Sequence, residues 1–133
     1  RYSIRVGVNT MVLTGSIICA AGITLNFAVF AIGVGTPLSF FGLMSLMGLG
    51  NGLVIPNATA GALSVRPHLA GTASGLSGAL MIGLGAALSA VAGLVLSLGL
   101  GALPVLGLMA ISAYGAIIAI LFVIRREARL GVT

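Results

Sequence analysis

Charge is what this sequence has least of. It contains no lysine and no aspartate, Glu127 is its only acid, and with six arginines the charged residues make up 5% of 133. A soluble domain carries charge on about a quarter of its residues, so no water-facing surface can be built from this supply. With Glu127 close to the end of the chain and no aspartate anywhere, general acid–base chemistry has no credible players, and no enzyme activity is expected. Tryptophan is absent, and the net charge of +5 comes without a basic patch interleaved with aromatics, so nucleic acid is not an expected partner. Cys19 is the single cysteine; it can form no intrachain disulfide and has no neighbours of a metal or redox motif. His68, beside Arg66 and Pro67, likewise has no second His, Cys or acid nearby and reads as a solvated loop residue rather than a metal ligand. Nothing in the pattern calls for a metal or a cofactor.

What is present is apolar. Hydrophobic residues make up 59% of the chain, at a mean hydropathy of +1.29. The charges sit in three places: Arg1 and Arg5 at the start, Arg66 in the middle, and Arg125, Arg126, Glu127 and Arg129 at the end. Between them run two uncharged stretches, residues 6–65 and 67–124. A helix crosses the hydrocarbon core of a bilayer in about 20 residues, so each stretch suits two crossings joined by a turn. Gly33-Val34-Gly35-Thr36-Pro37 divides the first, and Gly99-Leu100-Gly101-Ala102-Leu103-Pro104 divides the second. Glycine accepts turn dihedrals and proline suits the first turn of a helix. The expectation is an all-α transmembrane chain with spans over 11–32, 38–63, 70–94 and 103–124 and a tail over 125–133. The first apolar stretch is too long for a signal peptide and lacks a small-residue cleavage site. Every arginine falls at the start, in the middle loop or in the tail, and two crossings separate each group from the next. The positive-inside rule then puts both ends of the chain in the cytoplasm, with the inner membrane as the site.

Small residues pattern two of the spans. In the third, Gly71, Gly75, Ala79, Gly83 and Ala87 recur every fourth residue and trace one groove, the kind of surface that lets helices approach closely in lipid. In the second, Ser45, Gly48, Asn51, Gly52, Thr59 and Ala62 share a small, polar face, with Leu46, Leu49, Leu53 and Val54 largely opposite. Asn51, near mid-span, would be costly against lipid and is expected to face protein or a cavity, either as an interhelical hydrogen bond or as a substrate-facing amide. Pro56 removes one backbone donor and crowds the carbonyl of Gly52, so a kink is expected there. Asn57-Ala58-Thr59 matches the glycosylation sequon, but it falls inside a helix near the cytoplasmic face, where no glycan is added.

The segment GNGLVIPNATAGALSVRPHLAGTASGLSGAL resembles the tenth and eleventh helices of major facilitator superfamily transporters, in particular the Bcr/CflA-type drug-resistance branch. There a Gly-rich helix with a proline precedes a short basic loop and an AGTAS-like helix start. Residues 1–10 resemble the tail of the superfamily's basic loop motif, with Arg1 at its start and Arg5 and Gly7 in the Arg-x-Gly positions; Ile4 stands where that motif usually has Asp, and Val8 and Asn9 replace its following basic residues. The resemblance spans essentially the whole chain, as the last four helices of the C-terminal six-helix bundle of that fold. It implies a C-terminal portion of a twelve-helix protein, consistent with a truncated chain that opens on Arg1. The implied activity is proton-coupled efflux of small drug-like molecules by alternating access. The implied partners are the lipid bilayer, the remaining helices, the substrate and protons. It further implies that the second span borders the central cavity, making Asn51, Ser45, Gly48 and Gly52 the cavity candidates. The third span would pack beside it, and the first and fourth would stand outside as supports. Proton coupling usually requires an ionisable group within the membrane; the spans contain none, so the coupling carboxylate is expected elsewhere in such a protein. Two other readings fit the composition. One is a complete four-helix exporter of the small multidrug resistance type, a family that relies on a membrane-embedded Glu missing from this first span. The other is a non-transporting membrane scaffold or assembly subunit.

Overall fold

The structure, a computed structural model, describes residues 7–64, 67–99 and 101–130. Four helices account for nearly all of them: α1 (Val8–Ala31), α2 (Pro37–Ser64), α3 (Ala70–Ser97) and α4 (Leu103–Leu130), with a 3-10 turn (Pro67–Leu69) leading into α3. At 1.5 Å per residue, the 24 residues of α1 and the 28 of each other helix span about 36 and 42 Å, more than the roughly 30 Å of bilayer hydrocarbon. All four are long and apolar enough to cross a membrane, and the chain is that of a multi-pass membrane protein. Arg1, Arg5 and Arg66 lie outside the described residues.

The turns use the chemistry of the glycines and prolines between the apolar runs. α1 closes on Gly33, which takes φ +76° while its N–H donates to Phe30 O (3.1 Å), the left-handed stop that glycine adopts without strain. Pro37 then opens α2 behind a reciprocal cap. The Ser39 N–H donates to Thr36 Oγ1 (3.2 Å) and the Thr36 N–H to Ser39 Oγ (2.9 Å), satisfying two donors that a bare helix start would leave free. Gly99, at φ +70°, ends α3 in the same manner as Gly33 ends α1. α2 stays continuous through Pro56. α4 continues six residues beyond its expected end at Ile124, through the charged stretch as far as Leu130. The reason is local: Arg, Glu, Ala and Leu are good helix formers, and cations at a helix C-terminus are favoured by the helix dipole.

α1 is the centre of the packing. Its buried residues, among them Val12, Ser16, Cys19, Ala20, Ile23 and Asn26, cover a wide arc because α1 contacts two partners. Against α2 the approach is backbone to backbone. A Cβ placed on Gly15 would lie 2.7 Å from Gly50 O, one on Gly50 would lie 2.7 Å from Gly15 O, and one on Gly22 would lie 3.0 Å from Leu46 Cβ. Val8 meets Gly61 at one end of this pair, and Asn26 Nδ2 donates to Phe40 O (3.3 Å) near the other, so the two helices are antiparallel. Against α4, Asn9 donates to Glu127 at one end, and the hydroxyls of Thr24 and Tyr114 meet at 2.7 Å toward the other; these two are also antiparallel. The start of α1 and the ends of α2 and α4 therefore share one end of the bundle, which also carries the exposed Arg125, Arg126 and Arg129.

α3 behaves differently, with no buried residue along its length. Among the described residues the first helix is the most enclosed and the third the least. The physical reason is the spacing of small residues on α1. Gly15, Cys19 and Gly22, followed by Asn26, fall within about 60° of arc at roughly 100° per residue, and α2 fits its Gly50 into that seam.

Candidate functional site

A partly open cavity of about 460 Å³ lies where the four helices face one another. Its wall is mainly aliphatic, with Val54, Leu88, Leu108 and Met109 among the contributors. Four side chains with hydrogen-bonding oxygen or nitrogen interrupt that wall, one from each helix: Ser16 of α1, Asn51 of α2, Ser89 of α3 and Ser112 of α4. Volumes of this size, with apolar walls and a few convergent polar groups, are typical of small-molecule sites.

The Gly50-Asn51-Gly52 triplet explains how Asn51 is placed. Gly50 is buried at the α1 crossing, where any side chain would run into Cys19 Sγ. One residue on, about 100° around the helix, Asn51 faces the cavity. The Cys19 thiol lies 3.8 Å from Asn51 Oδ1 and 3.5 Å from Met47 O; its single proton serves one acceptor at a time. The Asn51 Nδ2 donor has no protein partner among the described residues. Ser112 Oγ is occupied by its own helix, donating to Leu108 O (3.0 Å). Ser16 is 3% exposed, and its hydroxyl makes no hydrogen bond. Its oxygen has almost no accessible surface, so it lies behind the cavity wall; leaving such a group unpaired costs about 1–3 kcal/mol.

Of the four cavity candidates read from the sequence, Asn51 lines the cavity; Ser45, Gly48 and Gly52 do not. The three are exposed; Ser45 Oγ bonds back to Phe41 O (3.0 Å), and nothing lies within 4 Å of a Cβ placed on Gly48 or Gly52. Helix geometry separates them: Met47, Asn51 and Val54 share one face, while Ser45, Gly48 and Gly52 lie about a third of a turn away. The stripe Gly71, Gly75, Ala79, Gly83 and Ala87 is exposed along α3, and a Cβ placed on Gly71, Gly75 or Gly83 would meet nothing within 4 Å. The motif residues Arg1 and Arg5 fall outside the description, while Gly7 stands at the start of α1 with φ +82°. Asn57 and Thr59 of the sequon both bond back to their own helix, at Leu53 O and Ile55 O (2.8 Å each). Sequence reasoning missed Ser16, Ser89 and Ser112, since a single serine in an apolar span carries no local signal. It also set Glu127 in the tail. In the structure Glu127 shares the inward face of α4 with Ile120, Val123 and Ile124 and lines a second cavity of about 950 Å³, beside Asn9, at the arginine-bearing end. The signal for this was available: at helical spacing Arg125 and Arg129 lie on the opposite side of the helix from Glu127.

Among the described residues no group of three or more His, Cys, Asp or Glu side chains is placed to hold a metal. Compared with protein-family models, with curated proteins and with solved structures, the chain matches none.

Proposed function

We propose that this chain is part of a membrane transporter that moves small drug-like molecules out of the cell by alternating access. The single observation that carries this reading is the mid-bundle cavity, with an aliphatic wall and one hydrogen-bonding side chain from each of four helices. A static packing contact has no need of such a volume; a site that binds and releases a small molecule within the membrane does. The resemblance to the Bcr/CflA-type branch of the major facilitator superfamily supplies the rest of the proposal: the C-terminal bundle of that fold, proton coupling, and further helices completing the transporter. No carboxylate, histidine or basic side chain lines this cavity, so in this reading the coupling carboxylate is contributed from outside the lining described here. The arginine-bearing end faces the cytoplasm of the inner membrane by the positive-inside rule.

The test is made in cells, with the protein expressed from its own full reading frame. Asn51→Leu and Ser89→Ala should alter accumulation for some members of a panel of unrelated drugs while membrane levels of the protein stay normal. An unchanged profile at normal levels refutes the cavity role of these residues. Loss of the protein from the membrane with Asn51→Leu would instead assign Asn51 to packing. A scaffold or assembly role is the second reading, favoured by one specific observation, the uncovered small-residue stripe of α3.

A further inference from the structure

We infer that the mid-bundle cavity selects uncharged, mostly apolar molecules that carry a hydrogen-bond acceptor such as a ketone, amide or ether oxygen, and that it disfavours permanent ions of either sign. This deepens the reading of the cavity as the small-molecule site and rests on it. Three observations support it together.

The first is the absence of charge from the wall. No Asp, Glu, His, Lys or Arg lines it, and the Cys19 thiol is turned toward Met47 O and Asn51 Oδ1. The nearest charged group along α4 is Arg125, nine residues beyond the last lining residue, Ala116, or about 14 Å along the helix axis. An ion entering such a space would shed water and find no counter-charge.

The second is the balance of donors and acceptors. Asn51 Nδ2 is a free donor, while its Oδ1 is approached by the Cys19 thiol. Ser89 contributes a hydroxyl, and Ser112, which has given its proton to Leu108 O, can only accept. A ligand oxygen in the cavity can accept from Asn51 Nδ2 and from the Ser89 hydroxyl.

The third is where these groups lie. Ser16 and Asn51 belong to the tightly crossed α1–α2 pair, whereas Ser89 belongs to α3, which has no buried residue. The Asn51 donor is therefore held by a rigid frame and the Ser89 hydroxyl by a helix with room to adjust. That arrangement suits ligands sharing one oxygen but differing in apolar shape.

The probe is benzophenone, a neutral diaryl ketone that on irradiation inserts into nearby C–H bonds, compared with a benzophenone carrying a quaternary trimethylammonium group. The full chain is reconstituted in liposomes and adducts are mapped by mass spectrometry. Labelling at Met109, on the cavity wall, is expressed relative to Ile82, exposed on α3, so that the two probes' different partitioning into lipid cancels. The expected Met109-to-Ile82 ratio for the neutral ketone exceeds that of the cation by on the order of tenfold, the direction set by burial of an unpaired charge. Ala92→Phe, which fills the cavity from α3, should lower the neutral ratio several-fold, and Asn51→Leu should lower it without blocking the space. If the neutral ratio is unmoved by Ala92→Phe, the cavity is not where the ligand sits and the functional reading fails with it. If Ala92→Phe blocks labelling but the two probes label equally, or Asn51→Leu has no effect, the cavity stands and the ligand class is overturned. Because the two probes are compared on the unsubstituted chain, the inference can be refuted even should a variant misfold.

Discussion

The contact between Gly15 and Gly50 lends itself to a sharp perturbation, because the atoms a new methyl would strike are backbone. In Gly50→Ala the added Cβ would overlap Cys19 Sγ and lie 2.7 Å from Gly15 O and 3.0 Å from Cys19 N. A flexible side-chain tip could rotate away; a carbonyl and an amide in the middle of a helix cannot, so the helices must separate. Overpacking of this kind costs about 1–3 kcal/mol. Against it stands a gain of about 1 kcal/mol from replacing glycine by alanine inside a helix. The balance is a net loss of up to about 2 kcal/mol. Gly83→Ala supplies the control, for nothing lies within 4 Å of its added Cβ; it keeps the propensity gain and should be neutral or stabilising by up to about 1 kcal/mol. The propensity gain is common to both, so the two variants should differ by the overpacking cost, about 1–3 kcal/mol, with Gly50→Ala the less stable. The double variant Gly15→Ala/Gly50→Ala should cost clearly less than the sum of its parts, because the first methyl already parts the pair that the second would part. The assay is unfolding of the purified chain in mixed micelles titrated with a denaturing detergent, followed by circular dichroism. A Gly50→Ala protein as stable as Gly83→Ala would refute the reasoning, and strict additivity at 15 and 50 would refute the shared crossing.

The remaining predictions concern the α1–α4 pair and the topology. Breaking the 2.7 Å contact between the Thr24 and Tyr114 hydroxyls through Thr24→Val and Tyr114→Phe should give a coupling of about 0.6 kcal/mol and not more than roughly 1.7, the range for interhelical hydrogen bonds in lipid; a double-mutant cycle measures it, and no coupling means the pair does not form. In a Cys19→Ala background, Gly35→Cys and His68→Cys should react with an impermeant thiol reagent from opposite sides of the membrane, because one helix, α2, lies between them; labelling from the same side would overturn the crossing of α2 and the orientation drawn from the arginines.

Much of the fold was legible because the relevant signals are local. Two uncharged runs, each interrupted once by glycine and proline, give four helices, since an apolar chain in lipid has to satisfy its backbone within each segment. The cap formed by Thr36 and Ser39 and the left-handed glycines at 33 and 99 sit at the breaks themselves. What could not be read was which faces meet. The α3 stripe, repeating every fourth residue, is the most regular small-residue pattern in the sequence, yet it is exposed along its length, with open space over its glycines. The close approach is made by Gly15, Cys19 and Gly22 on α1, a less regular series interrupted by a cysteine. A groove's depth depends on what the partner presents, and Gly50 opposite Gly15 is a fact about two segments that no single-segment pattern contains. The same limit applied to the site. Asn51 was identified because a polar amide in an apolar span is conspicuous by itself, whereas Ser16, Ser89 and Ser112 acquire meaning only when four helices bring them to one cavity.

The unequal packing of the four helices bears directly on how such a cavity could work. α1 is held to α2 by backbone contact and to α4 by polar pairs near both ends; changing any of these interfaces means giving up contacts that lipid cannot replace. α3 has no comparable tie: it has no buried residue, yet it supplies Leu88, Ser89 and Ala92 to the cavity wall. A small displacement of α3 would thus alter the cavity's width while leaving Ser16 and Asn51 fixed with respect to each other. Binding energy from a ligand that touches both sides would draw α3 toward the other three helices, and any further helix packing on the open stripe would oppose or assist that movement. In this arrangement the polar groups on the rigid side set which ligand is recognised, and the loosely held helix sets when it can enter or leave. Restraining α3 should therefore slow exchange of a bound molecule far more than it changes the preference among molecules.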